Sequence, residues 1–425
     1  MKISLVFTIL AVLLLTGSCG ADTEPNNGAA AALMTGADVL VAANFAQLEG
    51  RNVGVITNHT ATVGIEGDRH IVDLMHESPK VNVVALFGPE HGIRGDAPAG
   101  DRIDFEIDQR TGLPVHSLYG EIRTPTEEML EGIDLLIFDI QDIGPRFYTY
   151  ISTMGKGMEA AAAHNISFMV LDRPNPLGGD LVEGHVREDG LESFVGYYPI
   201  PVTHGLTVGE LAIMAKAEGW LDGTENLDLT VIEVENWDRS VLWHELGREW
   251  NPPSPNIPTF ETALMYPGAC YFEGLSASEG RGTYEPFILL GAPWADGTAL
   301  AEDLNARNLP GLRFEPATFT PESIPGMATR AKHMGVHLEG IRHVVTDEYA
   351  VRPVAAGMHV IEAFYRQVPG DEEEAFFNRP RIGRLAGTHR VMDMFRAGST
   401  ADEVIASWED ELREFDQLRQ QYFLY

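Results

Sequence analysis

Four short stretches of the chain carry residues able to transfer protons or pair with charged groups. They are Asn58-His59, Glu90-His91 with Arg94, Asp139 with Asp142 and Arg146, and Asp172-Arg173. Each follows an apolar run that reads as a buried strand, at 53–57, 81–87, 133–138 and 166–171. In a parallel sheet the carboxyl ends of the strands share one edge, so the four stretches converge on one crevice. Strand ends are often polar, which explains any one of them. It explains four charged, Gly- and Pro-punctuated loops less well. Glu90 and His91 keep a second reading, as loop polars that cap the following helix. A fifth stretch, 273–286, is glycine-rich and places Glu279, Arg281 and Glu285 close together. Glycine lets a backbone approach a ligand closely; the competing reading is a solvated surface loop.

Elements that would position these groups follow a strand–helix rhythm. Helices are expected at 68–77, 126–131, 150–164 and 208–218, with further strands at 113–118 and 227–234. Thr207 is a good N-cap for the last helix, and Glu210 completes a capping box. The rhythm predicts an α/β fold: a Rossmann-like, mostly parallel sheet with helices on both faces. The stiff, proline-rich run 251–258 bars helix and reads as the crossing into a smaller α+β C-terminal domain. That domain is expected to hold strands near 287–290 and 343–345 and helices near 299–306, 355–367 and 402–415. The organisation expected is therefore 1–20 export signal, 21–36 flexible tether, 37–250 Rossmann-like domain and 251–425 C-terminal domain.

No glycine-rich dinucleotide fingerprint follows the first strand and no phosphate-binding loop occurs, so no nucleotide cofactor is expected. The histidines, among them His59, His91 and His204, are scattered without zinc-site spacing, so no metal is expected. The formal charge of −33 argues against nucleic acid as a partner, because phosphate binding needs a basic face. Residues 2–20 stand apart: Lys2, an apolar run over 3–15, then Thr16-Gly17-Ser18-Cys19. The run is too short to span a bilayer comfortably and has a positive start, so it reads as an export signal. Cys19 stands where a lipoprotein signal places its lipidated cysteine, although the leucine lies one position further upstream than that pattern prefers. With Cys19 lipidated or removed, Cys270 is alone and no disulfide forms. The expected location is the periplasm or cell envelope, with a lipid anchor in the membrane.

Six motifs then occur in order: Gly54-Val-Ile-Thr-Asn58, Phe87-Gly-Pro-Glu-His-Gly-Ile-Arg94-Gly95, Asp139-Ile-Gln-Asp-Ile-Gly-Pro-Arg-Phe-Tyr-Thr-Tyr150, Leu171-Asp-Arg-Pro-Asn-Pro176, Pro252-Pro-Ser-Pro-Asn-Ile-Pro258 and Tyr266-Pro-Gly268 with Glu279-Gly-Arg-Gly-Thr283. Together they resemble the NamZ-type exo-β-N-acetylmuramidases, a bacterial glycoside hydrolase family, over about residues 38–425. The resemblance implies a Rossmann-like domain, a smaller C-terminal domain and a site between them. It also implies release of N-acetylmuramic acid from the non-reducing end of peptidoglycan fragments, so the partner expected is a peptidoglycan-derived sugar or muropeptide. Cleaving a glycosidic bond needs a proton donor with a raised pKa, and a second carboxylate or the substrate's acetamido group. Glu90 is the first candidate donor and Glu279 the rival; Asp139 and Asp142 are candidates for the second carboxylate or for orienting the N-acetyl group. The lactyl carboxylate of the sugar calls for a cation, from Arg94, Arg146 or Arg281. Tyr148 and Tyr150 are candidates to stack on the ring or to pack in the core; Asn58 and His91 would bind hydroxyls. Other readings are another amino-sugar hydrolase, such as a glucosaminidase, and a non-catalytic periplasmic sugar-binding protein.

Overall fold

Alternation along the strands decides the architecture. In β1 (Asn52–Thr57), Val53 and Val55 point to one side and Ile56 to the other; in the strand Leu135–Asp139, Leu135 and Ile137 oppose Leu136 and Phe138. Both sets are buried, so each face of the sheet must be covered, as parallel sheets require. Helices Gly36–Ala42 and Ile71–Glu77 cover one face. Helices Tyr150–Ala163 and Val208–Ala217 cover the other. The computed structural model describes residues 32–89, 92–95 and 105–425.

After β1 come the two-residue strands β2 (Thr62–Val63) and β3 (Arg69–His70), which pair with each other. Then follow β4 (Asn82–Gly88), β5 (Phe105–Ile107), β6 (Pro114–Ser117), β7 (Leu135–Asp139), β8 (Ser167–Leu171) and β9 (Leu229–Ile232). The seven-stranded sheet runs β5-β6-β4-β1-β7-β8-β9, parallel throughout except for β5 against β6. β1 is central. The chain leaves it first toward β4 and later toward β7, so the strand order reverses beside β1. Thr57 is level with Asp139, and Ile56 with Phe87. The loops after β1 and β7 therefore flank the switch point, where α/β sheets bind ligands.

The C-terminal half adds an antiparallel sheet of β10 (Leu289–Ala292), β12 (Leu338–Val345) and β11 (Leu312–Phe319), in that order, packed on helix Gly297–Ala306, which in turn packs on helix Pro353–Tyr365. Its side chains belong to the same apolar cluster as the helices Tyr150–Ala163 and Val208–Ala217.

Several elements differ from the sequence reading. The helix expected over 402–415 is two, Ala401–Ala406 and Glu409–Arg419. The Ser407 hydroxyl donates to the Val404 carbonyl at 2.6 Å, and Trp408 turns inward against His185. β11 escapes a periodicity reading because it is an edge strand with Pro316 inside it. Helix Phe260–Ala269 follows the proline-rich run directly, capped by Thr259 and interrupted only near its end by Pro267. Residues 33–36, read as the end of a tether, join the fold. Met34 and Glu235 exchange backbone hydrogen bonds, and Thr35 forms a capping box with Asp38. The Thr207–Glu210 capping box is present as expected.

Arg146 shows how the halves are joined. Its guanidinium is wholly buried and donates to the carbonyls of His185 (2.8 Å), Ile200 (2.5 Å) and Leu385 (2.8 Å). Arg146→Met would take this donor from the His185 and Leu385 carbonyls and leave Ile200 only the Arg187 amide at 3.3 Å, an expected loss of about 2 kcal/mol or more of stability. Urea unfolding, read as a lower midpoint at unchanged slope, checks it.

Candidate active site

Past β1, Asn58 folds the chain back. Its Oδ1 accepts from the Thr60 amide (3.0 Å) and hydroxyl (2.6 Å), while its Nδ2 is buried without a partner among the described residues. The Thr60 hydroxyl oxygen accepts from the Gln141 amide at 3.0 Å, which joins this loop to the one after β7. In that second loop the two aspartates part company. Asp139 is wholly buried in a bidentate pair with Arg173, at 2.5 and 3.1 Å. Among the described residues no cation pairs with Asp142; its Oδ2 accepts from the Gly144 amide at 2.7 Å, and its Oδ1 is buried without a partner. Burial disfavours the ionised form and pushes this carboxyl up to about 7, against the amides of Gly144 and Ile143.

Tyr148 lies against this acid. Its ring sits edge-on to Tyr150 (4.9 Å) and to Tyr266 (5.9 Å), and its hydroxyl is buried beside that of Tyr150. Burial, with the neighbouring tyrosines and Asp142, holds that hydroxyl well above its usual range. Tyr150 donates to the Pro253 carbonyl at 2.6 Å, pinning the proline-rich run to the crevice.

Through Tyr266 the C-terminal half reaches the same place. Tyr266 packs edge-on to Phe287 (4.7 Å), and the Arg281 guanidinium lies over the Phe287 ring at 5.1 Å. Arg281 donates to Glu273 (2.9 Å from Nη2) and has Glu279 at 3.9 Å; Arg381 also pairs with Glu273. Burial would raise the Glu273 carboxyl, but Arg281 and Arg381 hold it below its ordinary value. Lys332 Nζ is 2.8 Å from Glu279 Oε2, yet its protons go to the carbonyls of Phe272, Leu275 and Ala277. The Glu279 contact is thus one of charge and not a hydrogen bond. Gly280, at φ +78°, holds the loop in place; a Cβ there would lie 2.4 Å from the Leu289 carbonyl oxygen. Among the described residues three cations, Arg281, Arg381 and Lys332, face two carboxylates, Glu273 and Glu279, leaving one positive charge in excess. Arg281 and Lys332 remain about a third exposed.

Other expected residues lie elsewhere. Arg94 pairs with Asp73 (2.7 Å) and Asp108 (2.9 Å), and Asp108 is lowered to about 2, Arg94 and Thr111 outweighing its burial. Arg146 has its three carbonyls. Glu285 pairs with Arg342 on the surface. Asp172 is buried beneath the helix Val208–Ala217, where it accepts from the Thr207 hydroxyl, the Gly209 amide and the Tyr425 hydroxyl; burial raises it to about 6. A Cβ on Gly209 would come within 2.7 Å of that carboxyl. His59 bonds to the Pro252 carbonyl (2.8 Å), and buried His204 accepts from the Leu206 amide. Glu90, His91 and Cys19 lie outside the described residues. Sequence reasoning missed Glu273, Lys332 and Arg381, whose spacing carries no signal.

Beside Gln141 a cavity of about 300 Å³ opens at the ends of β1, β7 and β8. Thr60, Gln141 and Arg173 line its floor, and Trp243, Arg248 and Trp250 its wall. Arg248 pairs with Asp38.

A desolvated carboxylic acid and a cavity of about 300 Å³ thus meet at the switch point of an α/β sheet, the usual anatomy of an α/β active site. The chain belongs to the exo-β-N-acetylmuramidase NamZ family: the model of its N-terminal part matches residues 53–261 and that of its C-terminal part residues 264–425. The peptidoglycan β-N-acetylmuramidase NamZ of Bacillus subtilis strain 168 is 41% identical over 426 residues, covering 99% of each chain. Two crystal structures of DUF1343-family proteins from Bacteroides fragilis NCTC 9343 are also similar. One has a TM-score of 0.83 and 38% identity, the other 0.76 and 34%; each comparison covers 92% of this chain and 99% of the other.

Three buried acids have raised values: Asp142 and Glu183 at about 7, Asp172 at about 6, each chiefly through burial. The folded state then keeps protons that the unfolded chain has released, so stability falls as pH rises toward and through 7. Buried His204 and His343, lowered by burial to about 3 and about 4, act in the opposite sense only below their unfolded value near 6.5. The melting temperature is therefore expected to drop between pH 6.5 and 8. Glu183→Gln should flatten that drop in a thermal-shift series; an unchanged slope would show that Glu183 does not contribute.

Proposed function

We propose that this chain is an exo-acting glycoside hydrolase that releases N-acetylmuramic acid from the non-reducing end of peptidoglycan fragments during cell-wall turnover. The observation that carries the reading is the likeness, along 99% of both chains, to a peptidoglycan β-N-acetylmuramidase.

In the reaction the C1–oxygen bond to the leaving sugar breaks, the leaving oxygen takes a proton, and water supplies the new oxygen at C1. Glu90, two residues beyond the end of β4, is the proton donor in this reading. Asp142 has a different part. An acid raised to about 7 is substantially protonated at neutral pH, and its unpartnered Oδ1 can then donate a hydrogen bond to a substrate oxygen. Glu279, beside Lys332, serves as a fixed negative charge. The lactyl carboxylate is read by the surplus cation of the Arg281 cluster, with Arg281 in contact. Arg94 is committed to Asp73 and Asp108, and the terminal nitrogens of Arg146 to three carbonyls.

A chromogenic N-acetylmuraminide, run beside the N-acetylglucosaminide, tests this. Only the first should turn over. Glu90→Gln should lower kcat roughly 10²–10⁴-fold, the range for a general acid. Asp142→Asn keeps a donor in place and should lose less than about tenfold, whereas Asp142→Ala should lose far more. Near-complete loss in Asp142→Asn would instead make Asp142 the group that ionises. Arg281→Ala should raise KM about tenfold to a hundredfold, as for a charge-assisted hydrogen bond, while Arg381 keeps Glu273 paired.

Export with lipidation at Cys19 is supported by Lys2, the apolar run and the cysteine that follows. Cys19→Ala should move the protein from the membrane fraction to the soluble envelope fraction; unchanged fractionation would count against the anchor.

A further inference from the structure

The roles above leave the cavity beside Gln141 unused. We infer that it is the subsite for the neutral N-acetylated amino-sugar ring on the leaving side of the scissile bond. The inference rests on the exo-muramidase reading.

Position is the first argument. Gln141 lines the cavity and Asp142 is the next residue, so the cavity and the buried acid share one loop. The Thr60 hydroxyl, also on the lining, holds Asn58 on one side and Gln141 on the other. A ring in the cavity would thus lie one residue from the acid.

Chemistry is the second. Trp243 and Trp250 meet edge-on, with centroids 5.2 Å apart, and give the cavity aromatic walls. A pyranose offers such walls its C–H face. Between them are directed polar groups. Gln141 Nε2 donates to the carbonyls of Asp142 (2.8 Å) and Pro174 (2.9 Å), leaving Oε1 to accept. Arg173 uses Nε and Nη2 on Asp139 and the Thr62 carbonyl, leaving Nη1 to donate. A few placed donors and acceptors in an apolar frame suit a hydroxyl- and acetamido-bearing ring.

Charge separates this cavity from the Arg281 cluster. Arg173 is matched by Asp139 and Arg248 by Asp38, and exposed Glu66 and Glu249 stand on the rim. Among the described residues no positive charge is left over, so the cavity does not favour an anion. The Arg281 cluster has one in excess. The anionic muramic ring and its neutral neighbour are sorted between the two.

Two measurements on the full chain test the proposal. The first compares kcat/KM for the disaccharide N-acetylmuramyl-β-1,4-N-acetylglucosamine with that for β-N-acetylmuraminyl fluoride, whose leaving group is a single atom. Thr62→Phe narrows the cavity, and the disaccharide-to-fluoride ratio should fall at least tenfold. Glu249→Ala, on the rim, should lower it less. The second follows tryptophan fluorescence of the wild type. N-acetylglucosamine should give a saturable change that Thr62→Phe weakens and that N-acetylmuramic acid does not reproduce. An unchanged ratio in an active, folded Thr62→Phe protein overturns the proposal, as does absence of any saturable change. If the wild type cleaves neither substrate, the muramidase reading fails, and the fluorescence titration still decides whether the cavity takes a neutral amino sugar.

Discussion

The buried pair of Asp139 and Arg173 holds the crevice together. Asp139 ends β7 and Arg173 follows β8, so their bidentate bond ties two neighbouring strand ends at the switch point. Both side chains are almost completely out of water. Such a pair need not add net stability, because desolvation offsets the attraction; removing one partner, however, strands a buried charge. The pair acts as a clamp with one geometry. Arg173 also donates to the Thr62 carbonyl, which brings β2 and the loop after β1 under the same clamp. The unpartnered atoms of Asn58 and Asp142 are held in place by this frame.

Electrostatics in the molecule work against the bulk. The chain carries −33 and its proposed substrate is an anion, so the long-range field repels what the site must take in. Two local devices answer that. One is the single excess cation around Arg281 and Lys332. The other is a carboxylic acid kept substantially neutral by burial, which adds no negative charge where the sugar sits. Ion pairs elsewhere, such as Arg94 with Asp73 and Asp108, keep further charge out of the crevice.

Much of the sheet was legible because β1, β4, β7 and β8 are near-continuous apolar runs, as strands buried on both faces must be. The Thr207–Glu210 box was legible because its partners are three residues apart. Partners distant in sequence were not. Arg94 looked free for a ligand until Asp73 and Asp108 met it, and Arg146 until the carbonyl of Leu385, 239 positions away, came within 2.8 Å. The division between Asp139 and Asp142 follows the same rule. Two aspartates three residues apart look equivalent, and a distant arginine that reaches only one of them sets their chemistry. Lys332 carried no local signal, since its three carbonyl partners are set by the loop 272–277 and not by its own neighbours.

Tyr425 has a consequence for the order of assembly. Its hydroxyl accepts from the Val234 amide and donates to Asp172, 253 positions earlier, and Arg419 caps the carbonyls of Gly179 and Gly205. The β8–β9 side of the sheet thus keeps an open polar seam until residues 419–425 have left the ribosome. A chain built this way closes its larger sheet only when residues 419–425 dock on it.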